Sequence, residues 1–239
     1  MLKAVAQTNI GKTRTVNQDT VFVSMEAVGC LPNLFIVADG MGGHKGGDVA
    51  SSVAIESFCE FLRGAASGEE VLDVMTSAAR SANDRVVAKA AESDELSGMG
   101  TTMTACTIFE GKYFIVHIGD SRAYKITEDE IVQLTNDHSY VNEMVKAGQI
   151  THDEAKGHPR RNILTRVLGV NDEMAADGYV AEVSAGSVIL LCSDGLYNMV
   201  AEPNISEIIK THENPARALI EAANEKGGTD NISVIVINI

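Results

Sequence analysis

Residues Leu34-Phe35-Ile36-Val37-Ala38-Asp39-Gly40-Met41-Gly42-Gly43 carry an apolar segment straight into one carboxylate and then into three glycines within four positions. The apolar run predicts a buried strand. The glycines allow a sharp change of direction beside a bound group. A carboxylate at the end of a buried strand is costly unless a cation, an arginine or a ring of donors faces it. Asp-Gly is equally an ordinary turn dipeptide, so this segment alone leaves both readings open.

The pattern recurs. Val188–Cys192 leads through Ser193 into Asp194-Gly195, Phe114–Ile118 leads through Gly119 into Asp120-Ser121-Arg122, and Gly227-Gly228-Thr229-Asp230-Asn231 precedes the last apolar run. Carboxylates gathered at strand ends repel one another unless cations neutralise them. Ligand sets made only of oxygen select hard ions, Mg²⁺ or Mn²⁺, rather than zinc.

The rest of the chain predicts the scaffold. Strands are expected at 3–9, 20–23, 101–109, 112–118, 121–126, 131–134, 178–183, 187–192 and 232–239, the four from 101 to 134 as a meander with a tight Glu110-Gly111 turn. Helices are expected at 49–62, capped by Asp48, at about 69–91, and at 203–212 and 214–226. Strands in runs and helices in pairs favour an α+β fold of stacked antiparallel sheets flanked by helices. Residues 136–170 are more polar, with short helices at 139–147 and from Thr151, three of the six histidines, and Arg160, Arg161 and Arg166. They read as a surface flap over the site. No repeat or linker divides the chain, which predicts one domain over 1–239.

Composition narrows the function. With 239 residues and 45% hydrophobic content the chain can bury a full core. No apolar run reaches bilayer length, and the N-terminus lacks a signal-peptide core, which predicts a cytoplasmic protein without membrane insertion. A net charge of −14 with no basic stripe argues against nucleic-acid binding. Cys30, Cys59, Cys106 and Cys192 show no close pairing, and the last three sit in apolar runs that predict buried thiols. No P-loop, Gly-x-Gly-x-x-Gly fingerprint or Gly-x-Ser-x-Gly elbow occurs.

Eight short motifs stand in a fixed order: Arg14…Asn17-Gln18-Asp19, Val37–Gly43, Gly100-Thr101-Thr102, Gly119–Arg122, Asp137-His138-Ser139, Leu164–Gly169, Ser193–Leu196 and Thr229-Asp230-Asn231. Together they resemble the bacterial branch of the metal-dependent type-2C protein serine/threonine phosphatases (the PPM family), over nearly the whole chain. The resemblance implies an αββα sandwich with a dinuclear Mn²⁺/Mg²⁺ site at one end. It implies that Asp39 bridges the two ions, that Asp194 and Asp230 bind one, and that the Gly40 carbonyl binds the other. Asp120 is then a ligand of a third, weaker ion, Asp19 and Asn231 stand just outside the ligands, and Arg14 clamps the substrate phosphate. The implied reaction is hydrolysis of phosphoserine and phosphothreonine in proteins by a metal-activated water. Implied partners are phosphoproteins, including a bacterial Ser/Thr kinase, and the chain is expected to act as a monomer.

Two positions depart from the wider family. Met41 stands where the animal branch has a His proposed as general acid, and Gln18 where other members have a second acidic residue; His44 lies nearby, and the general acid stays unassigned. Two alternatives stay open beside hydrolysis of phosphoproteins: a catalytically weak phospho-binding regulator of the same fold, and a phosphatase for small phosphate esters.

Overall fold

A computed structural model describes residues 2–42, 46–66, 68, 70–170 and 174–239. In chain order it contains β1 (Lys3–Asn9), β2 (Asp19–Ser24), β3 (Leu34–Met41), α1 (Gly47–Gly64), α2 (Val71–Ala90), β4 (Gly100–Thr101), β5 (Met103–Phe109), β6 (Lys112–Ile118), β7 (Arg122–Ile126), β8 (Ile131–Gln133), α3 (Tyr140–Lys146), α4 (His152–Lys156), β9 (Asp177–Glu182), β10 (Val188–Cys192), α5 (Asp194–Tyr197), α6 (Glu202–Thr211), α7 (Pro215–Glu225) and β11 (Ile232–Asn238). Gly43 and His44 lie outside the described residues.

Period-2 alternation along the central strands builds the layers. In β3, Phe35 and Val37 point into a core between the sheets, while Leu34, Ile36 and Ala38 pack under α1 and α2. In β11, Ile235 and Ile237 face the same central core, while Ile232, Val234 and Val236 pack beneath the helices α5–α7. Both faces of these strands are apolar, which is why they read as unbroken hydrophobic runs. One sheet has the order β1-β11-β10-β7-β8; the other runs β2-β3-β5-β6-β9, with β4 alongside β3. Among the described residues the strands pair antiparallel throughout. The α+β sandwich expected from the element pattern is therefore the observed fold.

The meander differs from expectation in one instructive way. β5 and β6 belong to one sheet, whereas β7 and β8 belong to the other. The chain changes sheet at Gly119, where φ is +104° and a Cβ would meet the Thr102 side chain at 2.5 Å. Strand patterning alone cannot distinguish this crossing from a hairpin turn. By contrast, Glu110 (φ 49°) and Gly111 (φ 73°) make the tight turn expected between β5 and β6. Asp48 is a second correction. Helix α1 begins two residues earlier, with Gly46 at its N-cap and no side-chain cap, so Asp48 sits inside the first turn, where a carboxylate still suits the helix dipole. The four-residue α5 was hidden by its shortness.

Cys59, Cys106 and Cys192 are buried free thiols, and Cys30 is exposed. Among the described residues no helix is long and apolar enough to cross a membrane.

Candidate metal centre

Strand register gathers the acidic residues. Asp19 opens β2 directly opposite Asp39 on β3. In the other sheet, Cys192 at the end of β10 pairs with Arg122 on one side and Val234 on the other. The residues just beyond these pairings, Asp120, Asp194 and Asp230, therefore emerge at one end of that sheet.

Each is held by contacts of its own. The Asp39 N–H donates to Thr102 Oγ1 at 3.0 Å, and its carbonyl accepts from the Thr102 N–H at 2.9 Å and Thr101 Oγ1 at 3.0 Å. Gly40 donates its N–H to the Gln18 carbonyl at 3.1 Å, and a Cβ there would lie 1.9 Å from the Gly47 carbonyl oxygen. Asp19 accepts from Ser193 Oγ at 2.8 Å, and Ser193 Oγ in turn accepts from the Ser233 N–H at 3.0 Å. Asp194 is the first residue of α5 and accepts from Asn198 Nδ2 at 3.1 Å. Tyr197 donates its hydroxyl proton to the Asp120 carbonyl at 3.0 Å. Arg14, half-exposed, donates from Nη2 to Asp230 Oδ2 at 2.7 Å. The Asn231 backbone N–H donates to Asp230 Oδ1 at 2.8 Å, while its side chain turns away from the carboxylates. Its amide accepts from Gln18 N–H at 2.9 Å and donates to the carbonyls of Ile10 and Val16, each at 3.0 Å, so it pins the loop that carries Arg14.

The electrostatics of this end are unbalanced. Burial pushes the Asp39 carboxyl well above the usual carboxylate range, and the charges of Asp19, Asp194, Asp120 and Asp230 push it further. Asp194 is raised well above the range by burial and then by Asp120, Asp230 and Asp19, with Arg14 opposing. Burial and then Asp137 push Asp120 up to about 7. Burial pushes Asp19 up to about 6, held back by hydrogen bonds from Ser233 and Ser193. Among the described residues, Asp19 Oδ1 and Asp194 Oδ1 are buried without a hydrogen-bond partner. Such oxygens are expensive in a protein interior.

The residues fit hard divalent cations by donor chemistry and charge. Among the described residues no three His, Cys, Asp or Glu side chains stand close enough together to hold a metal ion as they are. That is the spacing expected of carboxylates that repel one another, and the orphaned oxygens and shared upward pKa shifts are the stronger indication. Asp120, Asp194 and Asp230 line one end of a cavity of about 650 Å³, whose far wall is formed by flap residues including Val145, Lys156 and Arg161. Arg160 stacks towards Tyr140 instead, and Arg166 pairs with Asp177 at 2.9 Å. The flap is thus less uniformly a solvated surface than its composition suggests; His138 and Leu168 within it are buried.

Several working residues had no role in the sequence reading. Thr101, Thr102, Ser193, Tyr197 and Arg122 all brace the acidic end, Arg122 by gripping Asp137 (2.6–3.2 Å) with its Cζ 3.6 Å from the Tyr197 ring centroid. All but Tyr197 stand inside quoted motifs, so the signal was present without its meaning.

A two-sheet sandwich with acidic strand ends over a flap-walled cavity is the arrangement of a metal-assisted hydrolase. The chain matches the family described as "Protein phosphatase 2C" over residues 8–232, and it belongs to that family; it is a protein phosphatase. It is 37% identical to "Serine/threonine phosphatase stp" of Listeria innocua, across 99% of this chain and 95% of that one. A solved S. agalactiae serine/threonine phosphatase superposes with a TM-score of 0.92 at 34% identity, covering 100% of both chains. The catalytic domain of the phosphatase PstP, solved with two manganese ions, superposes with a TM-score of 0.87 at 34% identity, covering 99% of this chain and 97% of that one.

Proposed function

We propose that the chain hydrolyses phosphoserine and phosphothreonine in proteins, using two Mn²⁺ or Mg²⁺ ions held at the acidic end of the sheets and a third, weaker ion at Asp120. The observation that carries this reading is the set of buried Asp carboxylates whose charges raise one another, two of them with unpartnered oxygens. Asp39, Asp194, Asp230 and the Gly40 carbonyl would hold the two principal ions, with Asp39 shared between them, and Asp120 together with Asp194 would hold the third.

Bound divalent ions supply a water of lowered pKa and neutralise charge on the phosphate. The remaining work falls to the chain. Arg14 offers a planar fork suited to two phosphate oxygens, and Asn231 fixes its loop. Asp19, held by Ser193 opposite Asp39, is placed to orient a water through its free Oδ1. The cavity of about 650 Å³ between the acidic end and the flap has room for side chains flanking a phosphorylated residue, which favours proteins over small esters. The two manganese ions in the structure of PstP support the same metal chemistry. The reading includes one domain over 1–239 with the flap at about 136–170, a cytoplasmic monomer, and a Ser/Thr kinase among the substrates.

The test is turnover of a phosphothreonine peptide by metal-stripped protein. Activity is expected to be absent with chelator and restored by Mn²⁺ or Mg²⁺; full turnover without either ion contradicts the reading.

A further inference from the structure

The imidazole of His138 lies outside the ligand set above and is fully buried. Two of its contacts fall on one neighbour. The His138 backbone N–H donates to the Gly119 carbonyl at 2.7 Å, and its Nδ1 accepts the Gly119 N–H at 3.1 Å. One residue thus holds both backbone polar groups of the glycine at which the chain changes sheet, immediately before Asp120. Because Nδ1 faces an N–H donor it carries the lone pair, which puts the ring proton on Nε2. Nε2 faces Asp177 Oδ2 at 3.2 Å, so that proton is donated to a carboxylate. Asp177 is itself fixed by Arg166 Nη1 at 2.9 Å and the Tyr179 hydroxyl at 3.2 Å. The His138 carbonyl accepts the Thr165 N–H at 2.8 Å. Thr165 and Arg166 lie on the returning arm of the flap, and His138 lies where the outgoing arm begins.

We propose that His138 is a positioning residue for Asp120. Its Nδ1 fixes the Gly119-Asp120 turn and its Nε2 ties that turn, through Asp177 and Arg166, to the base of the flap. The inference rests on the reading of Asp120 as ligand of the weaker third ion. A carboxylate–histidine pair bracing a ligand-bearing backbone follows the logic of outer contacts at metal sites, whose loss weakens metal binding about 10–100-fold. It also gives a displacement of the flap a direct route to the Asp120 carboxylate, without passing through Asp39, Asp194 or Asp230.

The two ring nitrogens can be separated by substitution. The Oδ1 of His138→Asn falls where Nδ1 was and can accept from Gly119, but the side chain is too short for Asp177. His138→Gln reaches towards Asp177 and leaves Gly119 without its acceptor, and His138→Ala loses both contacts. Two readouts apply: Mn²⁺ calorimetry on metal-stripped protein, and amide hydrogen exchange across residues 112–122. We expect His138→Ala to weaken the weakest Mn²⁺ binding event by about 10–100-fold, to leave the two tighter events in place, and to speed exchange at Gly119. His138→Asn should restore both readouts towards wild type, and His138→Gln should resemble the Ala variant. An Asn variant no better than Ala overturns the proposal. So does a uniform weakening of all three events accompanied by a fall in melting temperature, which is the signature of a merely structural histidine. Three wild-type events left unchanged by His138→Ala sink this inference alone. A wild-type chain with only two events, or Asp120→Ala keeping the third, sinks the reading of Asp120 and this inference with it.

Discussion

The acidic end of the sheets and the base of the flap are both rich in charge, and they treat it in opposite ways. At the flap base the buried or half-buried charges are paired, Arg122 with Asp137 and Arg166 with Asp177, which the neutral His138 ring also contacts. At the sheet end, Asp39, Asp194, Asp19 and Asp120 face one another, Arg14 at Asp230 is half-exposed, and two carboxylate oxygens have no partner among the described residues. The first region uses charge to fix a connection. The second holds repulsion that a bound cation relieves, so its charges favour binding at the expense of the stability of the metal-free chain.

The sharpest way to break this contrast is Asp39→Asn. Removing one stabilising donor from a developing charge costs about 10²–10³ in kcat, and Asp39 serves two ions in this account, so a loss of at least about 10³-fold is expected in steady-state turnover. The same variant should raise the melting temperature of the metal-stripped protein, because it deletes a buried charge that its neighbours oppose. A fall in both would class Asp39 with the paired charges of the flap.

Arg14→Ala comes next. A charge-assisted hydrogen bond contributes about 1.5–3 kcal/mol, so KM for a phosphothreonine peptide should rise by one to two orders of magnitude, with a smaller fall in kcat. An unchanged KM with a large kcat loss would confine Arg14 to the transition state.

The smallest effects are expected at the flap surface. Arg161 lines the cavity whereas Arg160 stacks towards Tyr140. Exposed charges of this kind contribute about 0.2–1 kcal/mol. Arg161→Ala should therefore lower kcat/KM on a phosphoprotein by no more than about fivefold, and leave a small aryl phosphate untouched. Arg160→Ala should change neither. Equal losses on both substrates would remove the flap from recognition.

Much of this was legible in the sequence because the informative residues are local. Apolar runs ending in Asp39, Asp120 and Asp194 announced strands and their acidic ends, and alternation in β3 and β11 announced two buried faces. The destination of each turn was not legible. Gly119-Asp120 reads as a hairpin, yet crosses between sheets, because its register depends on Thr102 and His138, one distant in sequence and the other beyond two intervening strands. The roles of Thr101, Thr102, Ser193 and Asn231 were hidden for the same reason: their hydrogen bonds join residues 40–221 positions apart. Asp48 was misplaced as a cap because glycine can serve at an N-cap without supplying a side chain.

The unbalanced charge also fixes a pH dependence. Asp120 at about 7 and Asp19 at about 6 hold protons more tightly in the folded chain than at the usual value of 3.8. Their protonation favours the fold fully below that usual value, and this contribution is lost as pH rises through 6 and 7. The melting temperature of metal-stripped protein should therefore fall between pH 5 and pH 8, and saturating Mn²⁺ should flatten or reverse that slope.

The most direct test of the account is calorimetric titration of metal-stripped protein with Mn²⁺ at pH 6.5, repeated in buffers of different ionisation enthalpy so that released protons are counted. Carboxyls raised by burial and by one another must give up protons when a cation arrives. The account predicts two tight binding events with net proton release, and Asp39→Asn should abolish the tight binding. Absence of tight binding in the wild-type chain, or tight binding that releases no protons, would contradict it.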